Sequence, residues 1–301
     1  MATQGIPVVS MGGFGQNGKD QDIRIADDLG RAFREIGFAS VTEHGVADEL
    51  VERAFRVAKQ VFLTDMTEAE RLAYEFKEVG RQYGYTPPKT EISVGKKKPN
   101  NMRFWHVNDP RANVGNVFPT EVPEFGPTML ELHLALKEAG KQVLRAIAMH
   151  LRRDPEFFVE WVEDGRNLLR PIHYPAMQGD EKVERSGAHF DINLITLLVP
   201  SIGPGLQVKS RQNRWVDATN PPGALVVNIG DMLANHTHGV LPSTKHQVVN
   251  PKTACGDRFS IPLFVHPKKV SLENSEAYLF HRLRQIGLLK DPNRHPFEVD
   301  Y

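Results

Sequence analysis

Cysteine is almost missing from this chain: Cys255 is the only one in 301 residues. No intrachain disulfide can form, so a reducing compartment is expected, with the cytoplasm as the default. Net charge is missing too, because 37 Lys and Arg are balanced by 37 Asp and Glu. That balance gives no general attraction to nucleic acid or to an anionic membrane. No run reaches the roughly 18 apolar residues of a membrane span. The stretch from Met1 to Ser10 lacks the basic and apolar regions of a secretory leader. Neither an internal repeat nor a low-complexity tract is present. What is there is an ordinary apolar fraction of 40%, enough for a large buried core in a single domain over residues 1–301.

Periodicity divides that domain into three stretches. Residues 1–167 read as mainly helical. Ile6–Val9 is a short strand, and Ile25, Leu29, Phe33 and Ile36 recur at helical spacing until Gly37 stops them. A strand over Phe38–Val41 and a helix over Val46–Phe62 follow, and Thr67-Glu-Ala-Glu70 has the form of a capping box. Residues 77–122 mix Gly, Pro and Lys with scattered aromatics and read as a long variable loop with short strands. The run Lys96–Lys98 within it is a solvated loop tip rather than a phosphate site. A long helix spans Pro127–Leu151, and Asp154-Pro155 opens a short one. Residues 168–270 switch to short β-rich segments separated by turn residues: Leu169–Tyr174, Leu194–Val199, Gly205–Val208, Trp215–Asp217, Ala224–Ile229, Lys245–Val249 and Phe259–Val265. That texture suggests a sandwich or jelly roll. Residues 271–301 hold a final helix, from about Glu273 to Ile286, and a tail.

Chemistry concentrates in the β-rich stretch. His189 and Asp191 stand two residues apart, and a strand sends residues i and i+2 to one face. His246 offers a third group from a distant strand. Two imidazoles and one carboxylate on one face of a divalent ion are the ligand set of non-haem Fe(II) oxygenases. Taken singly the residues have a plainer reading, since an Asp beside a His can simply orient it through a hydrogen bond. Downstream, alternation in Arg258-Phe-Ser260 puts Arg258 and Ser260 on one face. An arginine aimed into an apolar barrel is costly unless an anion meets it. A guanidinium holds a carboxylate through two bonds, and a serine hydroxyl adds a third. An internal pair with an Asp or Glu is the alternative, although it leaves Ser260 without a purpose.

These residues sit in a longer series: Ile6-Pro-Val-Val9, Gly37-Phe38 with His44-Gly45, Gly84-Tyr-Thr-Pro87 with Glu91, Arg103-Phe-Trp-His-Val107, and Arg170-Pro-Ile-His-Tyr-Pro175. Ala188-His-Phe-Asp191, Leu194–Leu198, Pro204–Val208, Pro222–Met232, Ser243-Thr-Lys-His246 and Arg258-Phe-Ser260 continue it. In order and content the series resembles the isopenicillin N synthase-like group of iron(II)/2-oxoglutarate-dependent dioxygenases. The resemblance implies mixed α and β structure, with a double-stranded β-helix (jelly-roll) core and flanking helices. It implies His189, Asp191 and His246 as iron ligands, and Arg258 and Ser260 as the holders of the far carboxylate of 2-oxoglutarate. Tyr174 matches a tyrosine that bonds the cosubstrate, or else is a barrel-wall residue. Asn193 continues the inward face of the first ligand strand and is a further cosubstrate contact to test.

The implied reaction uses O2 and 2-oxoglutarate to hydroxylate or desaturate a small organic substrate, with ascorbate as a reductant. Tyr85, Arg103, Phe104, Trp105 and Phe264 are the candidate substrate contacts, and a surface salt bridge is the competing reading of Arg103. Two rival functions stay open at this point. One is an oxidase of the same fold that holds its substrate's own carboxylate on Arg258 and Ser260 and uses no 2-oxoglutarate. The other is a non-catalytic jelly-roll protein with a structural metal. The chain departs from the group at Asn235-His-Thr-His-Gly239, where His236 and His238 are expected in a loop or at the cavity rim. The spacing from His246 to Arg258 is also long, and Thr253-Ala-Cys-Gly256 is expected to absorb it in a hairpin turn. The sequence carries no signal for oligomeric state.

Overall fold

The computed structural model describes residues 5–76, 83–93, 98–111, 115–177, 185–250 and 255–268, together with Gln285. β1 (Val8–Ser10) and β2 (Phe38–Thr42) pair in parallel, with α1 (Lys19–Ile36) as the crossover that parallel strands need. α1 stops where Gly37 takes a left-handed φ of 71° and donates its N–H to the Phe33 carbonyl. Only glycine suits this position, because a Cβ would also lie 2.3 Å from the Pro242 carbonyl oxygen. α2 (Asp48–Lys59) runs into a π-helical turn, Gln60–Thr64. α3 (Glu68–Leu72) opens on the expected capping box between Thr67 and Glu70.

The segment expected to be a long loop with short strands holds two that pair, β3 (Gly84–Thr86) and β4 (Arg103–Asn108). β4 is buried along nearly its whole length and joins the main sheet between later strands. Because both its faces are covered, it shows no polar–apolar alternation to reveal it. α4 (Phe125–His150) packs against α1 and α2 and also against the sheet, so it is apolar on more than one side. α5 (Val159–Val162) follows it.

From residue 168 the strands fall where the β-rich segments lie. They are β5 (Leu168–Leu169), β6 (Ile172–Tyr174), β7 (Ser186–His189), β8 (Ile195–Leu198), β9 (Leu206–Lys209), β10 (Trp215–Asp217), β11 (Leu225–Ile229), β12 (His246–Val248), β13 (Arg258–Ser260) and β14 (Pro262–Val265). α6 (Asp231–His236) is inserted where the sequence pattern suggests only a loop. One sheet has the order β1-β2-β11-β8-β14-β5-β4-β6-β13, with β3 on β4, and the other β10-β9-β12-β7. Together they make the expected jelly roll, which the N-terminal strands β1 and β2 widen at one edge. Cys255 lies in an antiparallel bridge to Met177. Thr253 and Ala254 of the expected hairpin turn lie outside the described residues, as do the helix at 273–286 (except Gln285) and Lys96 and Lys97. No described helix is long and apolar enough to cross a membrane.

Candidate active site

Strand pairing brings the two candidate histidines together. β12 runs between β7 and β9, and its register sets His246 directly across from His189. The ring centres are 4.3 Å apart, and the Phe38 ring lies edge-on to His246 at 5.4 Å. Asp191 arrives differently. β7 ends at His189, so Asp191 is in the loop beyond the strand. That loop is pinned by backbone bonds from Asp231 N–H to the Asp191 carbonyl and from Gly230 N–H to the Leu194 carbonyl. Gly230 allows the close approach, since a Cβ there would sit 2.1 Å from the Asn193 carbonyl oxygen.

The outcome is one nitrogen of each histidine and one carboxylate oxygen within 4.8 Å of one another. The Nε2 atoms of His189 and His246 lie 3.8 and 3.6 Å from Asp191 Oδ1. Each group is held from behind. The Nδ1 atoms lie 2.8 Å from the Gly187 carbonyl and 3.1 Å from the Thr244 carbonyl. A carbonyl only accepts, so Nδ1 carries a proton in each ring and Nε2 is the atom that faces Asp191. Asp191 Oδ2 accepts from the Thr196 hydroxyl at 2.6 Å and the Asn228 amide at 2.9 Å, which leaves Oδ1 for an ion. Burial alone would raise the Asp191 pKa. The facing imidazoles and these two bonds outweigh it and hold the carboxyl below its ordinary range. Burial, with His189 beside it, pushes His246 down and favours its neutral, ligating form. Two imidazole nitrogens and one carboxylate oxygen with open space beyond them suit a divalent ion. Thr196→Val is expected to weaken Fe(II) binding about 10- to 100-fold, as loss of a ligand's supporting bond does. Calorimetric titration of the variant checks this, and unchanged affinity would mean that Oδ2 needs no anchor.

A cavity of about 80 Å³ reaches these three side chains. Arg258 and Ser260 both face it from β13, as alternation predicts, and Tyr174 lies across from Arg258 on β6. Arg258 is 2% exposed. Its Nε donates to the Pro204 carbonyl, and its guanidinium lies 4.9 Å from the centre of the Tyr174 ring. Its Nη1 is buried without a hydrogen-bond partner. Among the described residues no carboxylate meets it, so the internal ion pair is not the arrangement found. Burial pushes this guanidinium's pKa down, which an incoming anion would relieve. The Ser260 and Tyr174 hydroxyls stand 3.5 Å apart beside it.

Of the remaining predicted contacts, only Phe264 lines the cavity. Phe104 sits one layer back, with the Arg170 guanidinium 4.3 Å over its ring. Tyr85 and Trp105 are corrections: their rings pack toward the helices. The Tyr85 hydroxyl donates to Glu68, and the Trp105 indole N–H to the Val117 carbonyl, with its ring against Phe125. Arg103 pairs with Glu68 and donates to His173 Nδ1, so it is engaged away from the cavity. Asn193 is also moved. Once β7 has ended the alternation lapses, and the Asn193 amide closes its own loop onto the Ile195 carbonyl and Thr196. His236 ends α6 among Phe157, Phe158 and Trp161 rather than at the cavity rim, and neither it nor His238 joins the metal-binding group.

Thr196, Asn228, Arg170 and Glu91 are residues that sequence reasoning passed over. Thr196 and Asn228 left a signal, each being the one polar residue inside an apolar strand, and they are cross-strand partners.

His173, next to Tyr174, is fully buried. Burial is the main cause that pushes its pKa down to about 4 from an ordinary 6.5. The unfolded chain therefore takes up this proton first as pH falls. Its contribution is intact above pH ~6.5 and is lost progressively towards pH ~4. Between pH 7 and 5 the metal-free protein is expected to lose about 2 kcal/mol more than a His173→Gln variant. Denaturant melts at the two pH values measure the difference, and parallel curves would contradict it.

Comparison with known proteins agrees with this geometry. Residues 165–267 match the 2OG-Fe(II) oxygenase superfamily, and residues 6–127 match the N-terminal region described as non-haem dioxygenase in morphine synthesis. A 2-oxoglutarate-Fe(II) type oxidoreductase of Emericella nidulans is 32% identical over 76% of this chain and 70% of its own length. A 2OG-Fe(II) oxygenase family protein from Caulobacter crescentus, solved as a crystal structure, is 32% identical. It superposes with a TM-score of 0.81 over 94% of this chain and 99% of its own. A full-length Neurospora crassa protein crystallised with alpha-KG is 25% identical, with a TM-score of 0.82 over 93% and 95% of the two chains.

Proposed function

The chain belongs to the 2OG-Fe(II) oxygenase superfamily, and on that premise we propose that it couples oxidative decarboxylation of 2-oxoglutarate to C–H oxidation of a small organic molecule. His189, Asp191 and His246 would hold the iron. The observation that carries the reading is the buried, unpartnered Nη1 of Arg258 in the same cavity. A guanidinium left without a counter-charge in the interior costs stability that an incoming anion would offset. The distal carboxylate of 2-oxoglutarate supplies one, with Ser260 and Tyr174 as further hydrogen-bonding groups.

When bound, Fe(II) and 2-oxoglutarate supply the oxidising power, consuming O2 and releasing succinate and CO2. The protein's own residues position and exclude. Gly187 and Thr244 fix the tautomers of His189 and His246, while Thr196 and Asn228 fix the rotamer of Asp191. Arg258, with Ser260 and Tyr174 beside it, would hold the far carboxylate of the cosubstrate. The apolar wall, including Phe264, keeps water from the reacting carbon. No side chain is required as a general base.

A screen of small organic compounds for substrate-stimulated succinate release, under Fe(II) and ascorbate, tests the proposal. The expected result is succinate formed only when 2-oxoglutarate is supplied, and faster with the right compound. Oxygen uptake with a substrate but independent of 2-oxoglutarate would transfer Arg258 and Ser260 to the substrate instead.

A further inference from the structure

The cavity meets two arginines in different electrostatic states. Arg258 has no carboxylate partner among the described residues. Arg170 has one: its Nη1 lies 3.1 Å from Glu91, and the two side chains are only 12% and 13% exposed. Both line the cavity. Arg170 is also fixed on several sides. Its backbone N–H donates to the Pro262 carbonyl, its Nε donates to His106 Nε2 at 2.7 Å, and its guanidinium lies over Phe104 and Phe264 at 4.3 and 5.1 Å. A side chain already held this firmly gives up little freedom when a ligand binds. A largely buried ion pair is a poor source of stability compared with apolar residues of the same volume. Its place in the wall of this cavity therefore calls for a role in binding.

We propose that Arg170 and Glu91 select the substrate, as a small, neutral, planar molecule presenting N–H and C=O side by side, in the manner of an amide, lactam or ureide. This rests on the oxygenase reading above and narrows its substrate class. The charge balance decides it. A carboxylate substrate would compete with Glu91 for Arg170 and leave the Glu91 charge unpaired in a largely buried site. A ketone would satisfy Arg170 and offer Glu91 nothing. An amide edge serves both, its carbonyl accepting from Arg170 and its N–H donating to Glu91. Phe264, already beneath Arg170, gives the flat ligand a flat neighbour. The same arrangement keeps 2-oxoglutarate out of the substrate position, because the unpaired cation is at Arg258 and the paired one at Arg170.

Calorimetric titration of the protein loaded with Fe(II) and 2-oxoglutarate under nitrogen tests this, with benzamide, acetophenone and benzoate as probes of matched shape. Benzamide is expected to bind about tenfold or more tightly than either of the others, since a site built to bond both groups rejects analogues lacking one. Glu91→Gln frees the Arg170 charge and is expected to reverse the order, with benzoate then the tighter ligand. The proposal is overturned if benzamide fails to bind the unaltered protein, if benzoate binds it equally well, or if the variant keeps the original order. Failure of 2-oxoglutarate itself to bind the Fe(II)-loaded protein would be a different result and would strike the oxygenase reading instead.

Discussion

His246→Ala is expected to lower 2-oxoglutarate turnover by more than about a hundredfold, a larger loss than supporting residues of a metal site produce, while the protein stays folded. The imidazole supplies one of three donors, and no other described His, Cys, Asp or Glu joins the group to replace it. Structurally the deletion removes one buried ring from contact with Phe38 and His189, at a cost of about 2–5 kcal/mol, as for other large-to-small changes in a core. Succinate formation, Fe(II) affinity and Tm measured with chelator present should therefore separate cleanly. Turnover surviving in the variant would remove His246 from the site. A collapse of Tm in chelator would make its role structural.

Arg258→Met should move function and stability in opposite directions. Methionine fills much of the same space and brings no charge into a site where the guanidinium is 2% exposed and Nη1 is unpartnered. Removing a buried unsatisfied donor is worth about 1–3 kcal/mol, so the substrate-free variant is expected to melt higher than the parent. The KM for 2-oxoglutarate should rise by about a hundredfold, the scale set by a lost charge-assisted contact of roughly 3 kcal/mol. Natural sequences keep such costly groups where activity requires them. A variant that is both less stable and unaltered in KM would show that Arg258 serves the fold rather than the cosubstrate.

The reach of the sequence differed between residues for physical reasons. His246 and His189 could be brought together because a sheet has only two faces, and Arg258 and Ser260 were readable from the same alternation. Alternation stops being informative where a strand ends. Asn193 lies four residues beyond His189, after β7 has ended, and a two-residue period cannot predict which way a loop side chain turns. Trp105 and Tyr85 were misplaced for a related reason. β3 and β4 are buried on both faces, so their sequences do not say which face meets the helices. Arg170 and Glu91 were recorded only as parts of longer motifs. Their pairing spans 79 positions of sequence, and nothing local in either segment announces it.

The pairing of β2 with β11 bears on how this enzyme could be divided. Two separate stretches of the chain match two separate family descriptions, which invites treating them as detachable modules. Yet Phe38, from the first stretch, packs edge-on against the candidate ligand His246 of the second, and β2 covers what would otherwise be a bare hydrogen-bonding edge on β11. A fragment begun at residue 165 would therefore carry all three candidate metal ligands on an unfinished scaffold. Fusions, splits or swaps of this chain would have to preserve the seam along β2.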